Sequence, residues 1–166
     1  VASTVAICKH DLAVAVNAAD TYANLVTLLE IPAPAAQPLI ITEMDVTFDG
    51  TTATAKPVLV TLCRATATTT GQTSTILPMP ENVDANVYTS LITATNVKYG
   101  PATAEGTIPN PNVYRLWRLP PTSGMVIQLP LGRGLWVPAG EFFRVRMVAN
   151  AAVNVTINVS VAEGGQ

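Results

Sequence analysis

Val153-Asn154-Val155-Thr156-Ile157-Asn158-Val159-Ser160-Val161 alternates apolar and polar side chains without a break. Successive side chains of an extended chain point to opposite faces, so this period of two predicts a β-strand with one face buried. Just upstream, Phe143, Val145 and Met147 alternate with Arg144 and Arg146. The Asn150-Ala151-Ala152 stretch between the two runs is short enough for a turn, which predicts an antiparallel hairpin.

Working back toward the N-terminus, Leu39 to Phe48 and Pro57 to Leu62 are rich in Ile, Val, Leu and Thr. Asp49-Gly50 after the first of them has the chemistry of a tight turn, where glycine supplies a positive φ. Pro57 at the first residue of a strand costs no interior ladder bond. Leu25 to Ile31 reads as a further strand, stopped by Pro32-Ala33-Pro34. Short candidates follow at Leu91 to Thr95, Val113 to Leu119, Met125 to Leu129 and Leu135 to Val137. Turn residues divide them at Pro120-Pro121, Gly132 to Gly134 and Pro138-Ala139-Gly140. Many short strands with such punctuation predict an all-β sandwich or barrel. Helix is expected at most around Leu12 to Ala19 and near Val83 to Val87, and Leu12, Val14 and Val16 alternate as a strand would. Thr66 to Thr75 has no apolar period and is expected to face solvent. Pro78 to Asp84 and Gly100 to Asn112 are long connections of the kind that carry contacts.

The chain has 166 residues, enough for one domain with an ordinary core. Charged residues are 12% and hydrophobic ones 49% of it, and the mean hydropathy is +0.36. Disorder needs the opposite balance. Nine Lys and Arg against 11 Asp and Glu leave a net charge of -2, so the basic excess that replaces phosphate counterions is missing and no nucleic-acid partner is expected. The apolar runs are far shorter than the ~20 residues of a spanning helix, so no membrane partner is expected either. Val1 to Asp11 has neither the basic start nor the long apolar stretch of a secretory signal. Scarce charge fits a surface covered by partners, and it fits equally an exterior built of Thr and Asn.

Candidate chemistry is sparse. His10 is the single histidine, beside Asp11 and two residues from Cys8; neighbours on one strand point apart, which opposes a nucleophilic triad. Cys8 and Cys63 with one His and no CxxC pair fall short of a structural zinc site. The two cysteines are read as free thiols, with a Cys8 to Cys63 bridge as the alternative. Glu43 and Asp45 share a face of one strand, and Asp49 and Glu141 stand apart from them; solvated strand charges are the reading, and a glycosidase pair has no mark here. Gly132-Arg133-Gly134 lacks the Lys and helix of a phosphate loop. Asn154-Val155-Thr156 and Asn158-Val159-Ser160 match the glycosylation sequon but serve as a strand's polar face. No catalytic residue, metal or cofactor is expected. Trp117, Trp136, Tyr114, Phe142 and Phe143 gather in the last third, and aromatics serve both cores and interfaces. Tyr114, Arg115, Trp117 and Arg118 are the candidate interface. Aromatic and Arg pairing would equally build a sugar-binding groove.

The order of segments carries a resemblance. Leu28-Leu29-Glu30-Ile31-Pro32, Ile40-Ile41-Thr42-Glu43, Val46-Thr47-Phe48-Asp49-Gly50-Thr51 and Pro57-Val58-Leu59-Val60-Thr61-Leu62 are followed by Pro130-Leu131-Gly132-Arg133 and Val137-Pro138-Ala139-Gly140. Arg144-Val145-Arg146 then runs into Asn150-Ala151-Ala152-Val153-Asn154-Val155. Over residues 22–163 this resembles the capsid decoration, or cement, proteins of tailed bacteriophages. The resemblance implies an antiparallel jelly-roll sandwich or barrel over 22–166; residues 1–21 fall outside it and are read as an extended N-terminal arm. It further implies a virion structural role on the outer head surface, synthesis in the host cytoplasm, the major capsid protein as partner and a homotrimer, without enzymatic activity. The matching motifs are strand and turn elements, so no contact residue transfers from it. A carbohydrate-binding head or tail-fibre module is the alternative, and a hydrolase ranks below both, since jelly rolls serve all three roles.

Overall fold

The computed structural model describes residues 3–19, 21–52, 56–74, 79–80, 90–92, 96–106, 108, 112–130 and 132–163. The described strands are β1 (Ser3–Ala13), β2 (Val26–Pro32), β3 (Leu39–Phe48), β4 (Val58–Ala65), β5 (Met79–Pro80), β6 (Lys98–Tyr99), β7 (Val113–Leu119), β8 (Gly124–Gln128), β9 (Leu135–Val137), β10 (Phe142–Val148) and β11 (Asn154–Glu163). All ladders between them are antiparallel. The larger sheet runs β5-β1-β11-β3-β8, with β9 also on β3, and the smaller runs β6-β2-β10-β4-β7.

Without the short β5, β6 and β9, the two orders become β1-β11-β3-β8 and β2-β10-β4-β7. The chain changes sheet at nearly every connection, and its first and last strands are neighbours; this is the jelly-roll winding. The protein is therefore an all-β antiparallel sandwich. The inner faces supply Val5, Ile7, Met44 and Val46, with Ile157 and Val159, from the larger sheet. Leu29, Ile31, Val58, Val60, Phe143 and Val145 come from the smaller one, all at most 2% exposed.

Four expectations are corrected. β10 and β11 do not form a hairpin: β10 pairs with β2 and β4, and β11 with β1 and β3, in opposite sheets. Both are central strands with a partner on each side, and the connection at 149–153 carries the chain from one layer to the other. The described part of residues 1–21 is not an arm outside the domain, because Ser3–Ala13 pairs along β11 and Val5 and Ile7 are fully buried. The residues after it stay docked, with Val14 N–H donating to Val153 O at 3.0 Å and Asn17 N–H to Ala149 O at 2.9 Å. No helix forms over the described part of Leu12 to Ala19. Gly50 does not have a positive φ; glycine is required there because a Cβ would run into the Pro121 carbonyl oxygen.

The segment 83–87 and most of Leu91 to Thr95 lie outside the described residues. Thr66 to Ser74 only partly faces water. Thr69 is fully buried, because this connection lies over the outer face of the smaller sheet. That cover explains why β4 and β10 are buried on both faces. Outer-facing Cys63 and Ala65 pack under Ile108, and Leu59 and Val148 pack with Leu25 and Tyr22.

Candidate contact surface

β7 ends the smaller sheet, and β8 and β9 end the larger one on the same flank. β8 and β9 act as one interrupted edge: β8 pairs with Glu43–Thr47 and β9 with Leu39–Ile41, with Leu129 N–H donating to Thr42 O at 2.9 Å between them. On β7 the register shifts, so that Arg115 opposes Leu62 and Val113 opposes Cys63 with Tyr114 as the extra residue. Such a bulge re-aims the side chains beside it. The Tyr114 hydroxyl donates to the Trp136 carbonyl and so ties the two sheet edges together. Burial pushes the phenol up to about 12. Arg115 lines the gap between the sheets with Ile41, Met44, Leu62, Ile127 and Leu129. A long aliphatic stem with its charged head in water suits that place; its Nη1 donates to Tyr114 O at 2.9 Å.

The four candidate interface residues therefore do not converge on one face. Tyr114, Arg115 and Trp117 belong to the inter-sheet side, and Trp117, opposite Val60, is half-buried against the core. Arg118 lies opposite Leu59 on the outer side. The large apolar groups in water on this flank are Leu116, Val126 and Trp136, at 51%, 66% and 51% exposure. Trp136 and Val126 were legible as residues but not as exposed ones, because the period of two tells faces apart without saying which edge is covered. Residues 106–140 contain Arg115, Arg118 and Arg133 and no carboxylate, and all three arginines are exposed.

Most other ionisable groups are committed to structure. Glu30 on β2 receives Arg144 Nε of β10 at 2.8 Å, with both side chains fully buried. It also accepts the Thr68 hydroxyl at 2.7 Å and the Thr69 N–H at 3.0 Å. Arg144 donates further to Glu105 O at 2.7 Å and to Ala67 O. Glu105 in turn takes Arg146 Nε at 2.9 Å and the Thr27 hydroxyl. This network pins two long connections, around 67–72 and 98–106, onto β2 and β10. Nothing in the local sequence announced it, since its members are scattered over four segments.

Cys8 and Cys63 are both free, one exposed on the larger sheet and one buried in the smaller, so no bridge joins them. Cys8 Sγ lies 3.5 Å from His10 Nε2, yet burial, and then the Asp45 charge, push its thiol up, away from the thiolate that nucleophilic chemistry needs. Asp45 accepts both of its hydrogen bonds from Asn158 Nδ2, at 2.8 and 3.0 Å. Asp49 accepts Asn154 N–H and Nδ2, each at 2.8 Å, which holds its carboxyl below the usual range. The two sequon asparagines thus serve as partners of carboxylates on β3 and just after it. Among the described residues, no three His, Cys, Asp or Glu side chains are grouped to hold a metal ion, and no helix is long and apolar enough to cross a membrane. Comparison with family models, curated proteins and solved structures returns no match.

Proposed function

We propose that this chain is a virion structural protein, a decoration protein that seats on the outer surface of an assembled bacteriophage head and stabilises the shell. The observation that carries this reading is the β7–β9 flank, where Leu116 on the outer side of the smaller sheet and Val126 and Trp136 on the outer side of the larger one stand in water. Aromatic, aliphatic and Arg side chains together make the usual centre of a protein contact. The ordered motifs resembling decoration proteins and the jelly-roll winding support the same reading. The mechanism is mass action: a protein that binds assembled capsid protein better than free capsomers disfavours disassembly. Assembly as a homotrimer belongs to the proposal. The test mixes the purified protein with undecorated cognate heads. Co-sedimentation and a higher head melting temperature are expected, and light scattering reads the trimer. Absence of binding with an unchanged melting temperature overturns the reading.

A carbohydrate-binding module is the second reading, favoured by the exposed ring of Trp136. A half-exposed tryptophan offers a stacking face that half-buried Trp117 does not. Glycan-array binding that disappears in Trp136→Ala and survives in Trp117→Phe would support it.

A further inference from the structure

We infer that the outer face of the larger sheet is a binding site for neutral carbohydrate, in which Glu43, Asp45 and Asn158 take the sugar hydroxyls and Trp136 takes the face of a ring. The inference deepens the carbohydrate reading above and rests on it.

The register of the ladders assembles this face from β1, β11, β3, β8 and β9. Ala6, Ser160, Glu43 and Gln128 form one cross-strand row, and Cys8, Asn158, Asp45 and Val126 form another. The row between them, Ile7, Val159 and Met44, is at most 2% exposed and points into the core, so its two neighbours point outward. A shallow trough of about 420 Å³ lies over them, lined by Ala6, Cys8, Glu43, Asp45, Asn158 and Ser160. Apolar groups in water stand on the same side. Val126 is directly opposite Asp45, and Trp136 is opposite Ile40, three residues before Glu43 on β3.

The lining selects the ligand. No Lys or Arg borders the trough, so phosphate, sulfate and carboxylate groups find no counter-charge there and meet two carboxylates instead. A lipid or an apolar peptide would desolvate those carboxylates without pairing them. A neutral sugar suits both parts of the face: its hydroxyls donate to carboxylates, and its C–H face covers a tryptophan ring. Asn158 Nδ2 donates to both Asp45 oxygens, at 2.8 and 3.0 Å, so this amide and carboxylate are already fixed before a ligand arrives. Glu43 is half-buried and, among the described residues, has no hydrogen-bond or ion-pair partner; a hydroxyl donor would supply one.

The test screens the intact protein on arrayed neutral hexose and N-acetylhexosamine chains, with sialylated and sulfated chains as controls. The strongest chain is then titrated in solution, read by Trp136 emission in the Trp117→Phe protein. Saturable binding of neutral chains is expected at up to about millimolar concentration, with little dependence on salt. A loss of about tenfold is expected in Glu43→Ala and in Trp136→Ala, whose folding is checked by circular dichroism. Preference for sialylated or sulfated chains overturns the inference and leaves the carbohydrate reading standing. So does binding that disappears in Trp136→Ala but is unchanged in Glu43→Ala, because the ring then acts without the trough. Binding of no glycan removes the carbohydrate reading and the inference together, and loss of head binding in Glu43→Ala would then assign the face to a protein contact.

Discussion

Arg144 Nε lies 2.8 Å from Glu30 Oε2 across the β10–β2 ladder, with both side chains at 0% exposure. A buried pair of this kind repays its desolvation only through further hydrogen bonds, and here Thr68, Thr69, Ala67 and Glu105 provide them. Removing one partner strands the other charge. Glu30→Gln or Arg144→Met should therefore cost about 3–5 kcal/mol in urea unfolding. Glu30→Leu/Arg144→Met should cost clearly less than the two single losses summed, and strict additivity would contradict the coupling.

Gly50 tests a close approach between connections. A Cβ there collides with Pro121 O and stands 2.9 Å from Pro121 C, both backbone atoms that cannot swing away. Gly50→Ala should destabilise by about 1–3 kcal/mol, as overpacking does. A neutral or stabilising result, read by thermal or urea unfolding, would show that the two connections part freely.

At alkaline pH, buried Cys63 and half-buried Tyr114 contribute to the stability. Burial raises the Cys63 thiol from 9.0 to about 12 and the Tyr114 phenol from 10.0 to about 12. The folded state then holds protons that the unfolded chain has lost. Their contribution is complete below 9.0 and falls as pH rises toward 12. Cys63→Ala should flatten that fall between pH 9 and 12 in a series of urea midpoints. The native protein should offer only exposed Cys8 to a thiol reagent, with Cys63 reacting on unfolding.

Asp49 acts in the other direction. Bonds from Asn154 hold its folded pKa below the ordinary 3.8. Its contribution is present above about that pH and disappears as pH falls through the lower folded value. Asp49→Asn should lower the neutral-pH midpoint and remove part of the acid dependence. An identical acid profile in the variant would refute the assignment.

The two tryptophans should separate in solution. Acrylamide should quench Trp136 strongly and Trp117 weakly, because Trp136 is 51% exposed and Trp117 packs on the core. Single-tryptophan variants, Trp117→Phe and Trp136→Phe, isolate each signal; equal quenching would contradict the placement of β7.

The strands themselves were largely legible. Val113–Leu119 and Leu135–Val137 occur within the bounds that their composition suggested, and Val153 to Val161 forms most of β11, because a period of two is a local property. Pairing was not legible. Periodicity marks which face of a strand is apolar and says nothing of its neighbour, so β10 and β11 read as a hairpin although they lie in different sheets. The N-terminal strand was misjudged for a related reason: Val5 and Ile7 become core only once β11 lies beside them. The candidate surface was half visible, since the sequence supplied Tyr114, Arg115, Trp117 and Arg118 but the bulge at Tyr114 decided which side each serves. Alternation and turn chemistry by themselves determined an all-β chain. Tertiary structure alone decided the jelly-roll order, the buried Glu30–Arg144 network and the bulge of β7 at Tyr114, because each depends on contacts between residues far apart in the chain.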